Sequence, residues 1–205
     1  RRGINRRGGG DDGPYATGSS DFRATIHRRP LQSEIAIGGG VVSKVNPIPE
    51  GSHSLNPYIC IADAAKAIEF YKQAFGAIEK LRLLRLMQPG GRVGHAELKI
   101  GDSRLMLSDE FPEIGVRSPH TIGGTPVSFV LYVEDVQAVF NRAVAAGAKV
   151  RRPIADQFYG DRVGGVEDPF GHVWWIHTHI EDVSDEELKR RLNTIGRLAS
   201  RPCPD

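Results

Sequence analysis

His95 and Glu97 stand two residues apart in the run Val93–Ile100, where apolar and polar types alternate. On an extended chain that spacing points both side chains to one face. There an imidazole and a carboxylate can share proton transfer as acid and base, or hold a metal together with His177. The plainer account of the pair is a hydrogen-bonded cavity wall. Trp174 and Trp175 alternate in a later run, so one packs inward while Trp175 turns to the open side, where it can stack on a flat ligand. His177 and His179 at the end of that run otherwise read as surface histidines. Tyr159, Asp161 and Arg162 surround Gly160. Arg162 can grip an anion through its planar fork, or more simply close on Asp161 or Glu167. His172, directly after a turn glycine, reads as structural.

An internal repeat supplies the elements that position these groups. Residues 57–77, PYICIADAAKAIEFYKQAFGA, resemble residues 129–148, FVLYVEDVQAVFNRAVAAGA. In each copy a short apolar strand ends at an Asp (Asp63, Asp135) able to cap a helix. The helix carries apolar residues at helical spacing (Ala64, Ile68, Tyr71, Phe75; Val136, Phe140, Ala143) and stops at a glycine, Gly76 or Gly147, suited to a left-handed cap. Three strands follow each helix: about 78–87, 93–100 and 104–108, then about 149–155, 162–167 and 172–178. Pro153 marks the first of the second set as an edge or broken strand, and Asp168-Pro169-Phe170-Gly171 makes the last hairpin turn. Ser184 with Glu187 forms a capping box that opens a terminal helix. The fold class is therefore α+β, with paired βαβββ modules forming a curved mixed sheet around a cavity. Alternation puts Tyr58, Cys60, Ser128, Val130, Tyr132, His95, Glu97, Met106, Ser108, Trp175 and His177 on the open face, a mixture of aromatic and polar groups that suits a ligand cavity.

Composition is that of a soluble globular protein: 205 residues, 40% hydrophobic, 25% charged. No run of about 18 apolar residues is present to span a membrane. The net charge is +2. Residues 1–50 hold eight Arg/Lys against five acids, +3, which leaves −1 for the rest. A basic stripe for nucleic acid is therefore not expected on the folded body. Residues 1–50 are glycine-rich and lack periodicity, and read as an unstructured N-terminal extension, part of it linker or expression-derived sequence. The ligand-binding domain is expected over 51–182 (modules about 55–110 and 125–180), the terminal helix over 183–200, and a loose tail over 201–205. The two cysteines, Cys60 and Cys203, are remote in sequence, and with no apolar signal-peptide core they suggest a reducing cytoplasm.

Four segments in this order resemble the vicinal oxygen chelate superfamily, which includes glyoxalase I, extradiol dioxygenases, and fosfomycin- and bleomycin-resistance proteins: Asn56-Pro57-Tyr58, Ala67 to Ala77, His95 to Ser103, and Asp168 to His172. The run Ala155 to Asp161, ADQFYGD, is similar to the PhnB-like branch. The resemblance implies a metal site at defined positions: seven residues before each helix-opening Asp, near Met106 or Leu107, and four residues after the turn glycine. Those positions hold Asn56, Ser128, Met106 or Leu107, and Trp175, none a strong ligand for a divalent ion. No metal and no cofactor are therefore expected. The expected function is binding or sequestration of a planar small molecule by Asn56, Tyr58, Met106, Ser128, Tyr132, Tyr159, Arg162, Trp175 and His177. The alternative is an enzyme of the superfamily, a lyase, isomerase or dioxygenase, using a relocated metal or metal-free catalysis by His95 and Glu97. Exposed sheet edges, one near Pro153, and the pairing common in the family suggest a homodimer.

Overall fold

The computed structural model describes residues 45–85 and 91–199, with side chains through Ile195. The readings of residues 1–44, of 86–87 at the end of the second strand, of 200 at the end of the terminal helix and of 201–205 lie outside it. The first module runs β1 (Tyr58–Ile61), α1 (Ala64–Phe75), β2 (Ile78–Leu84), β3 (Val93–Ile100) and β4 (Ser103–Asp109). A 3-10 turn (Pro112–Ile114) and a single helical turn, α2 (Pro119–Ile122), connect it to the second. That one runs β5 (Ser128–Tyr132), α3 (Val136–Ala145), β6 (Lys149–Asp156), β7 (Asp161–Glu167) and β8 (Val173–His179), followed by α4 (Asp185–Ala199). Each module forms its own four-stranded mixed sheet, ordered β1-β4-β3-β2 and β5-β8-β7-β6. In both, the first and last strands pair in parallel and the remaining neighbours antiparallel.

Both expected N-caps form: Asp63 accepts from the Lys66 amide at 3.1 Å and Asp135 from the Ala138 amide at 3.0 Å. Gly76 is the left-handed cap of α1, with φ of 68°. The second helix departs from the repeat. Its cap is Ala146 in right-handed geometry, and Gly147 takes the positive φ of 109° one residue later. Ser184 caps α4 through its hydroxyl, 3.3 Å from the Glu187 amide, but the box does not close. The Glu187 carboxylate turns to Arg190 and Arg191, at 2.6 and 2.7 Å. β6 is an edge strand with register shifts around Pro153, where the missing N–H interrupts the ladder.

Helices α1 and α3 pack on each other, and one hydrophobic cluster draws from both modules. Its centre is aromatic: Trp174 of β8 lies 4.6 Å from Phe75, 4.7 Å from Phe129 and 5.5 Å from Tyr71 between ring centroids. Inside it sits a charged group that the sequence suggested only as a turn residue. Asp168 is 2% exposed and accepts from the Tyr71 hydroxyl (2.8 Å), the Trp174 indole N–H (2.9 Å) and the amides of Phe170 and His172 (2.9 Å each). Burial, then the Asp168 charge, push the Tyr71 phenol well above its ordinary range, so it remains a donor. Close approach explains two adjacent glycines. A Cβ at Gly164 would stand 2.6 Å from Phe140, and one at Gly165 would stand 2.5 Å from the Trp175 ring, which lies across it.

Replacing Asp168 by Ala would leave four donors without their acceptor. Urea denaturation should show a loss of about 3–5 kcal/mol, the range for breaking a buried charged network. Tyr71→Phe, which removes one donor only, should cost about 1–2 kcal/mol.

Candidate functional site

The open face of the first sheet floors a cavity of about 770 Å³. Register orders that face in two rows: Tyr58, Met106, Glu97 and Leu81 lie side by side across β1, β4, β3 and β2, and in the next row Cys60 adjoins Ser108 while His95 adjoins Leu83. The cavity takes Tyr58 from the first row and all four residues of the second. The wall comes from the segment after β4, where Phe111, Ile114, Val116 and Arg117 line the space. Phe111 anchors that segment. It is 4% exposed, pairs with Val116 in an isolated bridge, and carries the Arg85 guanidinium 4.5 Å above its ring.

On the floor His95 is held from both sides. Its Nδ1 is 3.2 Å from the Tyr58 hydroxyl and its Nε2 is 3.3 Å from Glu97 Oε1, while Arg104 holds the other Glu97 oxygen at 3.1 Å. With Glu97 accepting from Nε2–H, the Nδ1 lone pair is left to accept from Tyr58. The chain Arg104–Glu97–His95–Tyr58 thus ends at a phenol that is 50% exposed. Its chemical capacity is proton exchange at the Tyr58 oxygen.

The second sheet carries a separate polar cluster. Asp161, 3% exposed, accepts from the Tyr132 hydroxyl at 2.8 Å and lies 3.0 Å from His177 Nδ1 and 2.8 Å from His179 Nδ1. Burial opposes the Asp161 charge, but the hydrogen bonds from His177, His179 and Tyr132 outweigh it and hold the carboxyl below its ordinary value. Asp161, then Asp182, raise the His179 imidazole. Tyr132 is raised by its bond to Asp161 and by burial. His177 is therefore a buried residue, 8% exposed, and not the surface histidine expected from its place at a strand end.

The predicted ligand-binding residues do not converge within one chain. Tyr58 and His95 line the cavity, and Glu97 and Met106, paired across β3 and β4 of the same sheet, do not. Asn56 precedes β1 and closes on His53, whose amide and carbonyl lie 3.1 and 2.5 Å from its side-chain amide. Ser128, Tyr132, Trp175 and His177 belong to the second sheet. Tyr159 lies in the turn before β7 beside Phe158. Arg162 is half exposed and pairs with Asp156 through two hydrogen bonds of 2.5 and 3.1 Å, in place of the expected Asp161 or Glu167. Asp161 is committed to its two histidines and Tyr132, and Glu167 pairs with Arg151 at 2.8 Å. Cys60, which alternation had already turned to the open face, lines the cavity, and Leu83 could have been found from the same period. Phe111 and Arg117, in an aperiodic connection, carried no such signal.

The positions at which this fold commonly binds a metal hold an amide closed on its own loop (Asn56), a hydroxyl (Ser128), a thioether (Met106) and an indole (Trp175). That set does not fit a divalent ion. Among the described residues no group of three His, Cys, Asp or Glu side chains is placed to hold one elsewhere. No helix among them is long and apolar enough to cross a membrane.

Two βαβββ modules with this site define a glyoxalase-type scaffold, and sequence comparison agrees. Residues 52–176 match the Glyoxalase/Bleomycin resistance protein/Dioxygenase superfamily, and the chain belongs to it. It is 42% identical over 146 residues to the uncharacterized protein Mb0911c of Mycobacterium bovis, covering 70% of this chain and 94% of that one. Identity to the uncharacterized Arabidopsis thaliana protein At5g48480 is 36% over 128 residues, 60% of this chain and 75% of that one. The crystal structure of protein PA1353 from Pseudomonas aeruginosa shares the fold, with a TM-score of 0.53 at 24% identity, covering 63% of this chain and 100% of that one.

Burial, then the charges of Glu110 and Asp109, push the Cys60 thiol up to about 11. Although it lines the cavity, it should react poorly. In a Cys203→Ser background, Cys60 should be modified by a disulfide reagent at pH 7.5 about a hundredfold more slowly than a free thiol, because its thiolate fraction is smaller by about that factor. Reaction at the free-thiol rate would contradict this environment.

Proposed function

We propose that this protein binds a planar small molecule in the first-sheet cavity without a metal, and that it falls within the PhnB-like branch to which ADQFYGD (Ala155–Asp161) is similar. The observation that carries the reading is the cavity itself. It is about 770 Å³, within the range of small-molecule sites, and is walled by Tyr58, Phe111 and aliphatic side chains. Its floor polar groups are largely satisfied by one another, so a flat ligand loses little by covering them. The expected result in calorimetric titration of flat aromatic compounds is one site per chain, with Tyr58→Ala weakening it by several-fold, the worth of a lost stacking surface of about 0.5–1.5 kcal/mol. Binding that ignores Tyr58, or that needs added zinc, nickel or iron, would overturn the reading.

A second reading rests on the held imidazole. The chain from Arg104 to Tyr58 is arranged to move a proton at the Tyr58 oxygen, which would serve metal-free acid–base catalysis. The two readings differ in one readout: His95→Ala abolishes turnover in the second, whereas in the first there is no turnover to lose and only affinity can change.

The open faces of both sheets expose apolar side chains, among them Leu83, Leu84, Val130 and Tyr132, each at least half exposed. Together with the edge strand β6, this supports a homodimer. Sedimentation at micromolar concentration should give twice the chain mass of 22.4 kDa; monomer alone would exclude the assembly.

A further inference from the structure

A second, smaller cavity of about 280 Å³ opens beside the first, between β1, α2 and β5. The two share Tyr58, Cys60 and Arg117, so Arg117 stands where they meet. The smaller space is mostly apolar, with Ile59, Ile122, Val127 and Phe129 around it. His172 borders it and is 5% exposed; its Nδ1 is buried without a hydrogen-bond partner, 3.9 Å from Asp168 Oδ2. Burial lowers its pKa, against the opposing pull of the Asp168 charge.

Charge in this double cavity has one sign. No Asp or Glu lines either part, whereas Arg85 and Arg117 do. The nearby carboxylates are engaged elsewhere. Asp109 binds the amides of Ala64 (2.8 Å) and Val93 (2.6 Å), and Glu110 binds Ser118 and Thr121 (3.0 and 2.6 Å). Glu113 lies 4.0 Å from Arg85, which already stacks on Phe111. Arg117 differs. Among the described residues no carboxylate lies within 4.0 Å of it, and its guanidinium makes no hydrogen bond. An unpaired guanidinium at the rim of an apolar space is matched by an anionic group on the ligand.

From these features, and resting on the small-molecule reading above, we infer that the ligand is an amphipathic organic anion. Its flat body lies over Tyr58 in the larger cavity, its carboxylate or sulfonate pairs with Arg117, and an apolar branch enters the smaller pocket among Ile59, Ile122, Val127 and Phe129.

Two dyes with nearly the same flat body separate the claims: 8-anilinonaphthalene-1-sulfonate and the uncharged N-phenyl-1-naphthylamine, titrated by fluorescence against the full chain. The sulfonate dye should bind at one site per chain. Arg117→Gln should weaken it by about tenfold, the usual worth of a hydrogen bond to a charged group, and Arg117→Lys should recover part of the loss. The uncharged dye should change by less than twofold in either variant. Unchanged affinity of the sulfonate dye in Arg117→Gln, with both dyes still sensitive to Tyr58→Ala, would overturn the anion assignment and leave the cavity reading intact. Insensitivity of both dyes to Tyr58→Ala would remove the cavity reading itself. Circular dichroism of each variant, unchanged from the parent chain, ties these outcomes to binding, since Arg117 is exposed and its guanidinium makes no hydrogen bond among the described residues.

Discussion

The Asp168 carboxylate lies inside the aromatic core, and most of what is distinctive in the fold converges on it. A charge there is tolerable only if its lone pairs are filled, and four donors fill them. Two are amides of its own turn, which fix the hairpin entering β8. The third is the Trp174 indole of β8, and the fourth is the Tyr71 hydroxyl from the helix of the other module. One group therefore sets the turn, the rotamer of the central tryptophan and the docking of α1. The hydrophobic seam of Phe75, Phe129 and Trp174 supplies the larger burial, but burial has no direction. The polar contacts make the seam close in one arrangement.

The same device recurs at the two helix starts with different chemistry. In the first module the Asp109 carboxylate at the end of β4 binds the first amide of α1 and the Val93 amide of β3. In the second, the Thr178 hydroxyl of β8 accepts from the Val136 amide at 2.8 Å and donates to the Val133 carbonyl at 2.9 Å. A charged acceptor in one copy and a neutral hydroxyl in the other do equivalent work, so the repeat preserves a role without preserving a residue type. With the inner faces committed to the helices, the outer faces are free for ligand chemistry. They have diverged as well: a linear chain from Arg104 to Tyr58 on one sheet, and a carboxylate serving two histidines and a tyrosine on the other.

Strand alternation and the two capped helices were legible because they depend on neighbours within one or two turns of chain. Asp63, Asp135, Gly76 and the run Val93–Ile100 needed nothing remote to be read. The assignment of His95, Glu97 and Tyr58 to a common open face followed from the same period of two. The alternation of Trp174 and Trp175 likewise identified the buried member, since adjacent residues of a strand cannot both face the core. The ion pair of Arg162 was misread because hairpin register, and not sequence nearness, brings Asp156 opposite it.

By itself, then, the sequence determined the α+β class, the duplicated module, the faces of its strands and the superfamily, all of which rest on local periodicity and short motifs. Tertiary structure alone decided that a turn aspartate becomes the buried anchor of the core, because its fourth donor lies 97 residues away. It also decided that the cavity belongs to the first sheet, because its second wall is the irregular segment from Phe111 to Arg117. A connection without periodicity carries no local record of the face on which it will settle, so only its packing through Phe111 could reveal it.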